Sequence, residues 1–368
     1  MKILFAGGGT FGHVAPALSV ADALRRQYPN AQILFAARAG GAENESIRAS
    51  GYPIREIPIE SIGRKGLRGN ARALLLLTRS FAAARKILED TKPDLVFGTG
   101  GYVCFPTVRT AQRMGIGTLL HESNATPGRA CKMLAKRCDA VLLGMRDAQA
   151  FFPSGTRCIY TGNPVRADFF KYTKEGARRI LGVAHSDKML LSFGGSGGAQ
   201  ALNETAMRLM QSLSESGGNF WHVHAAGRKY FEKIKGEHPS LTSGKGHFRV
   251  YPYIDDMALY MRAADLCICR SGAMTVSELA AARLPAILIP SPNVKDDHQY
   301  KNAKSLADAG GALILSESDP DRIENAARAL LSDEGKRAAM QRALSDYGGR
   351  DAAQSIAKHI VSFLPDNK

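Results

Sequence analysis

The sequence has no apolar run of the ~18 residues that a membrane span needs. Its first apolar stretch is too short for a signal peptide and runs straight into Gly7, Gly8 and Gly9. Both absences argue against a secreted or integral membrane protein, and residues 1–7 read as a first β-strand. Aromatic residues make up only 7%, with a single Trp, which leaves little for base stacking. No recognisable RNA- or DNA-binding module is present. The six cysteines form no CxxC pair, and Cys267 and Cys269 lie two apart on one face of a strand-like run. Buried, reduced thiols are the expectation. No cluster of His, Cys or carboxylates has metal-ligand spacing, so neither a tightly bound catalytic metal nor another cofactor is expected.

What is present is ordinary globular composition, with 45% hydrophobic and 23% charged residues. At roughly 150 residues per domain, a chain of 368 makes about two domains. The formal charge is +15, and it is uneven. Residues 1–160 hold 22 Lys/Arg against 11 Asp/Glu, whereas residues 161–368 hold 27 against 23. The basic half suggests a polyanionic partner, nucleic acid or an anionic membrane surface, beside the plainer reading of a basic soluble surface.

Strand-like runs at 2–6, 33–37, 95–97, 118–120 and 140–143 alternate with helical runs such as 16–27 and 71–89. A second series follows at 189–193, 221–225, 248–251, 266–269, 286–289 and 312–315, with a helical run at 276–282. Such alternation predicts an α/β fold with parallel sheets. In four places a strand ends in glycines and a helix follows: 7–12, 98–101, 194–198 and 271–273. Two fall in each half, which predicts two Rossmann-like domains. The Gly-Asn-Pro turn at 162–164 interrupts the pattern. The expected domains are 1–162 and 163–348, with a C-terminal helix within 349–368 that packs on either one.

A glycine loop at a helix N-terminus offers backbone amides and about half a positive charge to an anion. Gly7, Gly9 and Gly12 fit the dinucleotide pattern G-x-G-x-x-G. The acidic residue that should follow the second strand is replaced by Arg38, which suits a 2′-phosphate and keeps a nicotinamide enzyme open. That reading leaves the second glycine-rich domain unexplained. His13 at the mouth of this loop is either a helix-start histidine or a functional one. Gly194, Ser196 and Gly198 fit the nucleophile elbow G-x-S-x-G, but neither His298 nor His359 completes a convincing triad. The plainer reading of Ser196 is a helix N-cap. Asp319-Pro320-Asp321 has the form of a D-x-D metal motif, yet Glu324 three residues past Asp321 reads better as a capping box.

Together the segments 7–18, 98–108, 121–129, 161–166, 194–203, 253–257, 269–285 and 295–303 occur in one order that closely resembles a known family. These are the lipid II-forming N-acetylglucosaminyltransferases of bacterial cell-wall synthesis, and the resemblance spans nearly the whole chain. It implies a GT-B fold, two Rossmann-like parallel-sheet domains facing a central cleft. It implies an inverting transfer of N-acetylglucosamine from UDP-GlcNAc to undecaprenyl-pyrophosphoryl-MurNAc-pentapeptide, at the cytoplasmic face of the membrane. The N-terminal domain would take the lipid acceptor and the C-terminal domain the donor. Carried over by motif, Ser196 would meet the diphosphate, Ile254 the uracil through its backbone, and Arg166 would lie beside the nucleotide. Ala273, Met274 and Thr275 would contact nucleotide and phosphates, and Glu278 the ribose. His298, Gln299 and Asn302 would line the sugar pocket, with Asn124 reaching it from the other domain. Thr10, Phe11 and Gly12 would border the donor sugar, and His13 would be the general base, with Glu122 as the other candidate or a loop holder. Phe11, Ser123, Gly197 and Arg283 depart from the family's usual residues.

From 61 to 88 there is no acidic residue, while Arg64, Lys65, Arg68, Arg72, Arg79, Arg85 and Lys86 all fall there. As a helix, Leu74, Leu77, Phe81, Ala84 and Leu88 form a core stripe, with Leu75 and Leu76 off it. The pattern alone suits a buried helix with a solvated basic edge as well as an anionic membrane interface. The resemblance favours the membrane, since it implies a lipid acceptor, and it leaves no role for nucleic acid.

Overall fold

The computed structural model describes residues 1–9, 11–60, 66–347 and 351–364. They form two units, one of residues 1–166 with 349–368 and one of residues 167–348.

The first unit holds seven strands: β1 (Lys2–Gly7), β2 (Gln32–Arg38), β3 (Ile54–Ile57), β4 (Leu95–Gly100), β5 (Gly117–Glu122), β6 (Ala140–Leu143) and β7 (Cys158–Tyr160). Their order is β3-β2-β1-β4-β5-β6-β7, and every pairing is parallel. Parallel strands covered by helices on both faces read as unbroken apolar runs, and Ile3–Ala6 is buried residue by residue. On one face Phe5 stacks on Phe35 (5.2 Å between centroids) and meets Phe97 edge-on at 5.3 Å. The helix Ala352–Ser362 packs against the helix Phe11–Gln27 and adds Ile356 and Ile360 to this same core.

The second unit holds β8 (Lys188–Phe193), β9 (Phe220–Ala225), β10 (Phe248–Tyr251), β11 (Leu266–Cys269), β12 (Ala286–Leu288) and β13 (Ala312–Ile314). Their order is β10-β9-β8-β11-β12-β13, again all parallel. Both sheets therefore wind outward in both directions from a central pair, β1/β4 and β8/β11. Ligands of doubly wound sheets bind at this reversal, beyond the carboxyl ends of the strands. The four glycine loops singled out in the sequence leave those four strands.

Two strands escape the sequence pattern. β3 and β7 are the edges of the first sheet, four and three residues long, and Arg55 and Glu56 break the apolar run in β3. The first helix begins at Phe11, five residues before Pro16, which sits inside it. All six cysteines are free, and burial pushes the Cys104 thiol up to about 12. Among the described residues no helix is long and apolar enough to cross a membrane.

Candidate functional site

In the first unit the β1 and β4 loops are pressed together. Thr99 Oγ1 donates to the His13 carbonyl at 2.8 Å. Gly100 and Gly101 take φ of +95° and +76°, which L side chains rarely adopt. A Cβ built on Gly100 would stand 3.0 Å from His13 Cδ2, and one on Gly101 would stand 2.2 Å from the Gly8 carbonyl. The His13 imidazole thus lies half-buried against bare backbone at the head of the helix Gly101–Arg113. The loop amide it adjoins already has a partner, because Gly9 N–H donates to Glu43 Oε1 at 2.7 Å. Arg38 Nε lies 3.9 Å from that same oxygen. The place a dinucleotide pyrophosphate would need is taken by a carboxylate, which removes the structural basis of the nicotinamide reading.

After β5, Glu122 is buried and fully engaged. Its Oε1 accepts from the backbone N–H and Nδ2 of Asn124, both at 3.0 Å, and its Oε2 from Gly128 N–H at 2.9 Å. Glu122 therefore holds its loop, and Asn124 is part of that hold. Burial lowers the His121 pKa to about 4, only partly opposed by the Gly162 carbonyl 3.4 Å from Nε2. The neutral ring also meets Ser123 Oγ at 3.4 Å, and Asn163 Nδ2 donates to the Ser123 carbonyl at 3.0 Å. Ser123 is thus part of the packing under the 162–164 turn. Half-buried Arg166 follows that turn. Gly12 is exposed in the first turn of its helix. Thr10 and the Phe11 side chain lie outside the described residues.

In the second unit the β8 loop is open. A Cβ built on Gly195 or Gly197 meets nothing within 4 Å. The loop edges a pocket of about 560 Å³ whose wall includes Gly198, Gln200, Glu204, Tyr230, Arg270 and Gln299. Exposed Ser196 does not cap the following helix, which starts at Gln200 with Ala199 as N-cap. Nor does Ser196 contact a histidine among the described residues, so the hydrolase reading loses its base. Gly198 has φ +70°, and its Cβ position lies 2.2 Å from the Ala226 carbonyl. That carbonyl accepts from Asn203 Nδ2 at 3.1 Å, and Asn203 Oδ1 meets His224 Nε2 at 3.0 Å. Ser192 Oγ then bridges His224 Nδ1 and His222 Nε2, each at 2.7 Å. Burial lowers the His224 pKa to about 4, and burial followed by the neighbouring His224 lowers that of His222 well below the ordinary value. Two neutral imidazoles thus brace the loop from beneath.

The far wall is set by β11 and β12. Arg270 Nη1 donates to the carbonyls of Ile289 and Pro290 at 3.0 and 3.2 Å, and its Nη2 pairs with Glu317. The Gln299 side chain accepts from Ser291 N–H at 2.9 Å, and Ser271 Oγ donates to the Gln299 carbonyl at 2.9 Å. Fully buried Asn302 donates to the Ser271 carbonyl at 3.3 Å. Asp296 and Asp297 both take left-handed φ, 56° and 51°, to turn the chain into the helix at His298. Of the expected donor residues only Gln299 lines this pocket. Ile254, the run Ala273, Met274, Thr275 and Glu278, and half-buried His298 follow β10, β11 and β12 at the same sheet edge. Arg270 and Glu317 were not singled out, although Arg270 directly follows the buried run of β11.

Two further sequence readings change. Asp319 is the N-cap of the helix Pro320–Ser332 and accepts from Arg322 N–H at 3.1 Å, while Asp321 pairs with Arg208. Glu324 bonds Ser212 instead of closing a capping box. Arg283 caps its helix in the left-handed conformation, at φ +52°. Of the acid-free stretch, Arg64 and Lys65 lie outside the described residues, as do the side chains of Arg68, Arg72 and Leu74. The helix Gly66–Thr91 buries Ala84 and Leu88, exposes Arg79, Arg85 and Lys86, and leaves Leu75 67% exposed.

Comparison with known proteins adds independent findings. The profile of the glycosyltransferase family 28 N-terminal domain matches residues 3–143, and that of its C-terminal domain matches residues 189–360. A UDP-N-acetylglucosamine–N-acetylmuramyl-(pentapeptide) pyrophosphoryl-undecaprenol N-acetylglucosamine transferase of Acetivibrio thermocellus is 36% identical over all of this chain and 99% of its own. The transferase of the same name from Carboxydothermus hydrogenoformans is 37% identical over 99% and 98%. The crystal structure of Acinetobacter baumannii MurG superposes with a TM-score of 0.75 at 30% identity, covering 98% of this chain and 99% of that one.

Proposed function

Because the chain belongs to glycosyltransferase family 28, we propose that it moves N-acetylglucosamine from UDP-GlcNAc to the C4 hydroxyl of MurNAc in undecaprenyl-pyrophosphoryl-MurNAc-pentapeptide. The product is lipid II, a peptidoglycan precursor, formed with inversion. The observation that carries the reading is the open 194–198 loop beside a polar pocket, in contrast to the 7–9 loop whose amide Glu43 already takes.

The donor belongs to the second unit. Its diphosphate lies against the 194–198 loop and Ser196, before the positive end of the helix Gln200–Glu215. Ile254 meets the uracil, Ala273, Met274 and Thr275 the nucleotide, and Glu278 the ribose. Gln299 and His298 address the sugar, and Asn302 acts one step behind them by fixing the Ser271 turn. Charge developing on departing UDP is met by amides already in place, the term that usually dominates such catalysis.

The acceptor belongs to the first unit. His13 takes the proton of the attacking hydroxyl, the role an imidazole most often fills in general-base catalysis. Glu122 is unsuited because both its oxygens hold the 122–128 loop. The basic segment 64–86, with exposed Leu75, docks the chain on the anionic cytoplasmic leaflet. Three lipid contacts at ~1 kcal/mol each raise affinity about a hundredfold.

Thermal unfolding with UDP-GlcNAc, UDP-GalNAc, NADPH or single-stranded DNA tests the donor half of the reading. Selective stabilisation by UDP-GlcNAc is expected, and a response to NADPH alone sinks it. Turnover with the lipid acceptor then tests the reaction itself.

A further inference from the structure

A second cavity, of about 330 Å³, lies at the opposite edge of the second sheet, where β8 and β11 begin. Its wall carries five cations, Lys174, Arg178, Arg179, Lys188 and Arg337. Three carboxylates face them, Asp265 and the exposed pair Glu175 and Glu334, which leaves two positive charges.

Asp265 is already shared between two cations. It meets Lys174 Nζ at 2.6 Å and Arg178 Nη1 at 3.2 Å, and it also accepts from Met189 N–H. Burial pushes its carboxyl up, but Lys174, the Met189 amide and Arg178 outweigh that and hold it below the ordinary range. It therefore stays ionised and leaves one positive charge over.

Arg337 has no carboxylate partner at all among the described residues. It is only 4% exposed, and its Nη1 alone caps the helix Pro320–Ser332 through the Leu330 and Leu331 carbonyls, each at 2.6 Å. A helix cap needs one nitrogen of the fork, whereas Nε and Nη2 have no hydrogen-bond partner among the described residues. Beside it, Arg178, 6% exposed, has its Nε buried with no hydrogen-bond partner. A buried guanidinium without a counter-charge costs stability unless an anion joins it. The planar fork matches phosphate oxygens, and a phosphomonoester brings about −1.5 to −2 charges, close to the excess on the wall.

We propose that this pocket binds a soluble phosphomonoester, apart from the donor site. Arg337 grips the phosphate from within, and Arg179 and Lys188 close on it from the rim.

The test uses the full chain saturated with UDP, so that donor phosphate sites are filled, and titrates inorganic phosphate against sodium chloride of equal ionic strength. Calorimetry should show one saturable phosphate site. Arg179→Gln with Lys188→Gln, both rim changes, should weaken it tenfold or more while UDP affinity stays within twofold. Arg337→Lys, which keeps the charge but loses the fork, should weaken it similarly. Absence of saturable binding, or equal binding by wild type and the rim variant, overturns the site. Vesicles of phosphatidylcholine with phosphatidic acid should bind wild type and rim variant alike. Loss of vesicle binding in the variant would replace the soluble ligand with a lipid headgroup.

Discussion

Two loops of the same design, after β1 and after β8, differ in what meets them. The first has its Gly9 amide bonded to Glu43 and its glycines pressed against Tyr102, Thr99 and the β4 loop. The second presents Gly195 and Gly197 to open space and is braced from beneath, through Ala226, Asn203 and the paired histidines. The lesson is that a strand–glycine–helix turn is a capacity for anions and not an assignment. Which loop receives a phosphate is decided by whether the protein's own carboxylate arrives first.

The largest test of this contrast is His13→Ala. If the first unit supplies chemistry and the second binding, kcat should fall by about 10²–10⁴ while UDP-GlcNAc affinity is unchanged. Turnover and calorimetry on one preparation check this, and full activity removes His13 from the mechanism.

Acid should separate the units next. A buried His whose folded pKa is depressed stabilises the fold above its unfolded value of ~6.5, and that contribution is lost as pH falls towards the folded value. His224, at about 4, is worth roughly 3 kcal/mol on this basis, and His222 adds to it. Among the described residues of the first unit His121 is the one fully buried histidine with a lowered pKa, and half-buried His359 in the last helix is lowered as well, by burial and then by Arg157. Trp221, the only Trp in the chain, is buried in the second unit against His247 and Asp187. Between pH 6.5 and 4, its fluorescence transition should therefore move ahead of the far-ultraviolet signal from both units. Coincident transitions would contradict the imbalance.

Charge is the next axis. Arg68→Glu with Arg72→Glu should weaken binding to anionic liposomes at least about 30-fold, at ~1 kcal/mol per lost cation. Unchanged binding refutes the membrane role of the first unit. The smallest effects address the loops directly. Gly198→Ala forces a Cβ onto the Ala226 carbonyl at φ +70° and should raise the KM for UDP-GlcNAc about tenfold. Glu43→Gln should leave that KM within twofold, and an equal rise in both would erase the distinction between the loops.

Most of the fold was legible because parallel strands buried on both faces write themselves as apolar runs. β3 and β7 were not, since an edge strand of three or four residues needs only one apolar side and carries no period. The glycine loops and His13 were legible as positions. Their contents were not, because Glu43 reaches Gly9 across 34 residues and Arg270 reaches Glu317 across 47. Ser196 misled as a cap because three further residues, Gly197, Gly198 and Ala199, separate it from the helix it precedes, a distance that only the backbone reveals.

The chain leaves the first unit after Arg166 and returns to it at 349. The second unit is thus complete in one uninterrupted stretch, whereas the first waits for its final helix. On the ribosome, the core around Phe5 and Phe35 would remain without Ile356, Ile360, Phe363 and Leu364 until nearly all of the chain has emerged. The part synthesised first is the part finished last. A nonsense mutation a few codons before 352 would strip the earliest-made unit of one wall while leaving the later-made one whole.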